Sequence, residues 1–377
     1  MKKKALAAIL IAMTVLAGCG DKEGESSSPI IQDVESVALA TSKPEEEPEG
    51  EVSGEEEEQE PEEVREGMYR SELTNEWIDE SLKNQRPIAV MVDNEKIALP
   101  HFGLTEADIV YEMMNSTKNN RITRFMALVK DWGKIEQFGS IRSTRSTNVY
   151  LVGEWNAVLC HDGGPFFTRD LIAEKDYCDN FSGDFSRVNN GKKTEYTEYI
   201  CAGDLEKKFS SKKYSVEYNE HYPGTHYLFS NKEYELSEAD GATDCSEIEL
   251  VPFRHNESTL KYNEATGTYD YYEYGEPHLD PQHDNAQLSF KNLLIQNCSF
   301  ADLGEGYLVY NIIDAGGNDG YYITNGKIVP VTWYKQHDTA PTTYYNKVTG
   351  EEIKLNTGKT YIAIVPSDAW DEIVIKK

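Results

Sequence analysis

The densest collection of residues able to do chemistry lies between positions 124 and 146, where Arg124, Arg142 and Arg145 accompany Ser143 and Ser146. Arg142 and Arg145 straddle the start of a predicted helix. The first turn of a helix leaves backbone N–H groups unpaired and is the positive end of the peptide dipoles. Guanidinium groups and hydroxyls added there make a site for an anion. The chain has a formal net charge of −29, so a concentrated cationic spot stands out. Asp162, at the end of a later strand, is grouped with these residues as a ligand-contacting position. The competing reading pairs the arginines with Asp93, Glu112 or Asp162, because ion-pair networks gather charge at strand ends as readily as binding sites do.

A second constellation, Asp93, Glu112 and His161, has the residue types of a hydrolase acid and base. Asp93 and His161 fall at the ends of predicted strands, where the sites of α/β proteins gather, although turn and cap chemistry uses the same residues. Cys160 beside His161 is not a nucleophile pair: neighbours on a strand point to opposite faces, so the hydrogen bond that activates a thiol cannot form. His278 and His283 flank Asp280 and precede Asp284, but that spacing matches no established zinc pattern, and Pro277 and Pro281 mark a loop. No metal and no cofactor are expected. Asp314 to Gly320 departs from EF-hand spacing and reads as a turn. The 24 tyrosines have faces suited to stacking on sugar rings, but aromatics more often cover half-exposed strands.

These residues need elements to hold them. Ile88-Ala89-Val90-Met91-Val92 is apolar on both faces and predicts a central buried strand ending at Asp93. Thr105 and Asp108 have the spacing of a reciprocal helix cap, although Ile109 to Met113 equally suits a strand. Ile122 to Val129 predicts a strand, and Ser143 or Ser146 caps a helix with Val149, Val152 and Trp155 on one side. Ala157 to Cys160 is a further short strand, closed by His161-Asp162-Gly163-Gly164-Pro165. From Ser246 onward the texture is short strands and turns, with Asn325-Gly326 a strong hairpin signal. The fold class expected is α+β. An N-terminal domain of sheet and helix layers spans 73–240, and a mainly β C-terminal domain spans 241–377.

The N-terminus carries an address. Lys2, Lys3 and Lys4 precede an apolar run from Ala5 to Leu16, which has the form of an export signal and is too short to cross a bilayer. Leu16-Ala17-Gly18-Cys19 then predicts lipoprotein processing, with residues 1–18 removed and Cys19 lipidated. Residues 19–72 are expected to form an acidic, disordered tether. Between Asp21 and Glu66 there are eighteen acidic residues against three basic ones, with scattered prolines and serines and almost no large apolar residue. Five cysteines follow Cys19, so at least one is unpaired; a Cys178–Cys201 bridge is compatible with the sequence. An acidic folded part argues against nucleic acid, whose phosphates need clustered Lys and Arg.

Several segments together resemble the YerB-like lipoproteins, a family of Gram-positive surface proteins with a domain of unknown function. They are Arg86 to Asn94, Gly103 to Glu112, Ile122 to Leu128, Gly139 to Arg145, His161 to Gly164, Thr225 to Leu228, Thr332 to Lys335, Pro341-Thr342 and Gly358 to Ile362. In this order they cover most of residues 85–370. The resemblance implies a core of stacked β layers and a helical layer, followed by the family's own C-terminal domain; it implies no reaction. Ser140 stands where the family usually has Pro, Asp162 where it has a small residue, and Pro165-Phe166 where it has Ser-Pro. The expected protein is an extracytoplasmic lipoprotein, anchored to the membrane by its lipid. It binds or scaffolds at the cell envelope, its partner being a cell-wall polymer, an anionic ligand or an envelope protein. A wall-directed hydrolase is the alternative.

Overall fold

The computed structural model describes residues 63–377; the export signal, Cys19 and most of the acidic run lie outside the described residues. Order begins earlier than expected. Met68–Arg70 pairs antiparallel with Trp77–Asp79, Leu73 is fully buried, and the Glu72 carboxylate accepts from Lys130 Nζ and Tyr218 OH. The last residues assigned to the tether, from Met68 to Glu72, are therefore part of the fold.

The described residues are mainly β. One mixed sheet of eleven strands runs through both halves of the chain. In chain order its strands are β1 (Ile88–Asp93), β2 (Ile109–Met114), β3 (Thr123–Val129), β4 (Val158–His161), β5 (Asn180–Ser182), β6 (Thr243–Asp244), β7 (Asn292–Cys298), β8 (Asp314–Thr324), β9 (Lys327–Lys335), β10 (Thr343–Asn346) and β11 (Thr360–Pro366). Across the sheet the order is β6-β9-β8-β7-β11-β2-β3-β1-β4-β5, with β10 also on β9. Strand β11 lies parallel to both β7 and β2, which joins the two halves at the centre. The boundary expected near residue 240 falls inside this one compact unit, Glu62–Lys377.

The central strands are buried on both faces because each face has its own cover. Ala89, Met91, Tyr111, Met126, Leu128, Ile362 and Ile364 pack with Val149, Val152 and Trp155 of helix α1 (Ser146–Trp155). Val90, Val110, Phe125, Ala127, Tyr361 and Ala363 face the other way, toward Ile248, Leu260, Tyr269, Tyr271 and Phe290 of a six-stranded sheet. Period-two alternation assigns neighbouring residues to opposite faces, so these apolar runs feed two cores.

Local chemistry explains where expectation held and where it failed. Asn325 and Gly326 both take positive φ between Thr324 and Lys327, the backbone of a primed two-residue hairpin turn. Leu104–Glu106 forms only a single 3-10 turn, and Ile109–Met114 is a strand. The Asp108 carboxylate does not cap a helix; it accepts the Lys130 backbone N–H at 2.7 Å. Neither Ser143 nor Ser146 caps α1. The Arg145 backbone N–H donates to Asn148 Oδ1 at 2.9 Å, and the Ser146 hydroxyl meets that of Thr168 at 3.0 Å. All five described cysteines are free, so Cys178 and Cys201 are not bridged.

Candidate functional site

The arginine cluster sits on the α1 side of the large sheet, at the ends of its central strands. Asp93 and Arg124 are cross-strand partners on β1 and β3. Segment Arg142–Thr144 threads between the ends of β1 and β4: Arg142 N–H donates to Met91 O, Asp162 N–H to Arg142 O, and Thr144 N–H to Gly163 O. The paired glycines bring that turn against the segment. Gly163 has φ +75°, and a Cβ on Gly164 would stand 3.4 Å from the Thr144 carbonyl.

Each guanidinium has its own surroundings. Arg142 Nε lies 2.7 Å from Asp93 Oδ2, a charge contact rather than an aligned hydrogen bond. At the rim its Nη1 is 3.5 Å from Glu195 Oε2, and its plane lies over Tyr196 at 5.4 Å. A quarter of the Arg142 side chain is exposed. Arg124 is buried, donates Nη1 to the Ser143 carbonyl at 2.7 Å and leaves Nε without an acceptor. Arg145 donates to the Thr144 carbonyl at 2.9 Å, lies over Tyr307 at 5.1 Å and also has an unpaired Nε. Among the described residues, no carboxylate lies within ion-pair distance of Arg124 or Arg145. Burial, and for Arg145 the nearby Arg124 charge, depress these guanidiniums to about 10 for Arg124 and about 9 for Arg145. Three cations thus share one buried carboxylate and a rim glutamate.

Beside them lies a cavity of about 10 Å³, lined by Arg124, Arg145, Asn115, Thr147 and Asn148. That is room for about one water. Wider clefts, of about 420 and 690 Å³, lie elsewhere on the surface, around Arg254 and around Tyr334.

Asp162 departs from its expected place. Its carboxylate turns away from Arg142 toward Arg187 Nη2 at 3.6 Å, which also binds Glu198 at 2.8 Å. The hydrolase constellation does not assemble. Glu112 is on the face opposite Asp93 and His161, fully buried, taking hydroxyl donors from Thr123, Ser258, Tyr271 and Tyr361. His161 is buried against the Gly163 carbonyl and the Asn180 side chain, and burial lowers its pKa, so it is a neutral structural group. Cys160 points into the opposite core, its thiol pushed upward by burial. The histidine loop does not converge either. His283 binds Glu106, and Asp280 holds the backbone N–H groups of Gly103 and Thr105. Tyr196, Tyr307 and Glu195, which complete the arginine surroundings, were missed; nothing local to the arginines points to partners 54 or 162 positions away.

The layered sheets define a mainly β fold shared by both halves of the chain. Residues 73–215 match the model described as "Protein of unknown function (DUF3048) N-terminal domain", and residues 249–362 match "Protein of unknown function (DUF3048) C-terminal domain". The chain belongs to this YerB-like family. It is 23% identical over 311 residues to the Bacillus subtilis (strain 168) protein named "Putative lipoprotein YerB", covering 81% of this chain and 86% of that one. The crystal structure of YerB from Bacillus subtilis superposes with a TM-score of 0.67 at 22% identity, over 82% of this chain and all of that one. That likeness concerns the fold. No helix among the described residues is long and apolar enough to cross a membrane.

Proposed function

We propose that this protein is a lipid-anchored binding or scaffolding protein of the cell envelope. Its described unit stands outside the cytoplasm and holds an anionic group at Arg142 and Arg145. The anchor is diacylglycerol on Cys19, and the acidic stretch after it is the spacer that keeps the folded unit away from anionic lipid. The export signal, the small residues before Cys19 and the lipoprotein name borne by the Bacillus relative support the anchor.

The observation that carries the ligand is the imbalance of charge. Two buried guanidiniums lie near a third with only Asp93 and the rim Glu195 among them, and burial first, then their mutual repulsion, lowers the proton affinity of the buried pair. An anion at the mouth of that small cavity relieves that repulsion, and Arg142 and Arg145, both just ahead of the α1 start, supply its donors. A phosphate or carboxylate of a wall polymer, or an acidic side chain of an envelope protein, has the required chemistry.

Polyglycerol phosphate, a soluble stand-in for an anionic wall polymer, tests this by titration calorimetry at two salt concentrations. Wild-type protein is expected to bind it more weakly in high salt. Arg142→Ala and Arg145→Ala should each weaken binding about tenfold, the scale of one charge-assisted hydrogen bond. Equal binding by both folded variants would sink the site. For the anchor, Cys19→Ser should move the protein from the membrane fraction to the soluble fraction.

A further inference from the structure

Below the large sheet, on the side away from the arginines, three buried side chains from three separate segments converge. His101 comes from the loop after β1, Glu273 ends the strand Thr268–Glu273, and His278 follows the next tight turn. None is more than 3% exposed. One donor atom from each lies within 4.8 Å of the others, and the two imidazole centroids are 5.0 Å apart.

Their hydrogen bonds leave lone pairs unused. His101 Nε2 bonds the Asp93 carbonyl, which only accepts, so Nε2 carries the proton and Nδ1 is a bare lone pair. His278 Nδ1 donates to Glu273 Oε1 at 2.7 Å, leaving Nε2 bare. His101 Nδ1, His278 Nε2 and Glu273 Oε2 are all buried without an aligned partner. The side-chain amides of Asn94 and Asn256 stand near Glu273. A buried acceptor without a donor costs about 1–3 kcal/mol, so three in one place require an explanation. More hydrogen-bond acceptors would not help. A cation would.

We propose that His101, Glu273 and His278 bind one divalent transition-metal ion, zinc by the chemistry of the donor set. Two neutral imidazoles and a carboxylate are the nitrogen and oxygen donors zinc takes, with a fourth position left for a water. The bond from His101 Nε2–H to a backbone carbonyl is the outer contact that fixes tautomer and ring orientation in metal sites; at His278 the ion takes the place of the proton that Nδ1 shares with Glu273 Oε1, that proton moving to Nε2. Burial makes the ion a clamp rather than a reaction centre, tying the loop after β1 to the smaller sheet. This site is independent of the anion reading and lies on the opposite face of the large sheet.

The test uses the full chain in detergent, stripped with a strong chelator and dialysed against Zn²⁺. Elemental analysis should find close to one zinc per chain, and the melting temperature should rise with zinc. His101→Ala and His278→Ala should bind zinc at least about tenfold more weakly, whereas His283→Ala and His255→Ala, both outside the cluster, should bind it as wild type does. Because the buried substitutions could impair folding, Co²⁺ bound to wild-type protein supplies a second reading: a four-coordinate nitrogen and oxygen site gives visible absorption without thiolate charge-transfer bands. Failure of wild-type protein to take up zinc, zinc retained undiminished by folded His101→Ala and His278→Ala, or a cobalt spectrum dominated by thiolate would each overturn the proposal.

Discussion

Glu154 and Glu112 are buried on opposite faces of the large sheet and are held there in opposite ways. On the α1 face, Glu154 meets the fully buried Lys335 at 2.8 Å, with Thr342 and Tyr111 hydroxyls at 2.7 Å each and His226 nearby. Burial pushes its pKa up, but the Lys335 charge, His226 and the hydrogen bonds from Lys335 and Thr342 together outweigh that and leave it below the ordinary carboxylate value. On the opposite face Glu112 has four hydroxyl donors and no cation, and its pKa is pushed up to about 7 by burial, with Glu273 adding to the rise. Depth is the same for both. A counter-charge decides which way the proton goes, and dipoles alone do not fully replace it.

The sharpest way to break this contrast is Lys335→Met, which leaves Glu154 buried without its cation. Urea unfolding should show a loss of about 3–5 kcal/mol, and adding Glu154→Gln should restore much of it, because a neutral pair no longer strands a charge. Glu112→Gln should cost less, about 1–3 kcal/mol, because only hydroxyl donors lose their acceptor. The two faces should also respond oppositely to pH. Glu154, lowered in the fold, contributes stability that is present above the unfolded value of 4.5 and is lost as pH falls through its folded pKa. Glu112, raised, keeps its proton in the fold where the unfolded chain releases it, so stability falls as pH rises from about 4.5 to about 7. Tyr271, Tyr361 and Glu273 are the groups that face it. Measured with chelator present, the difference in unfolding free energy between wild type and Glu112→Gln should shift against wild type across that window, by up to about 1.4 kcal/mol per pH unit. The smallest effect is expected at the arginines. Arg145→Ala should move stability by less than about 1 kcal/mol, because the lost contact with Tyr307 is offset by relief of repulsion from Arg124.

How far the sequence could be read follows from how local each determinant is. The all-apolar run before Asp93 and the Asn325-Gly326 turn carry their conformation in a few residues, and both form as expected. The sequence placed Arg142 and Arg145 on either side of a helix start, whereas both precede α1, Arg145 being its N-cap, because the helix begins only at Ser146. Thr105 to Asp108 misled because a capping pattern was competing with a strand backbone 22 positions on that needed an acceptor. Glu112 looked like a catalytic candidate because the residues that satisfy it, Ser258, Tyr271 and Tyr361, are 146 to 249 positions away. The same holds for His101, which only the completed fold brings to Glu273 and His278. Strand parity alone would have separated Glu112 from Asp93 and His161, had the pairing of β1, β2 and β3 been known.

One feature of the sheet bears on the order in which the chain can be made. Strand β11 is buried along its whole length and fills the slot between β2 and β7. A chain that has emerged only as far as Lys359 has two long apolar strand edges facing an empty slot, the kind of edge that recruits other chains. Strand β11 is thus the keystone: the sheet of both family halves closes only when it is in place.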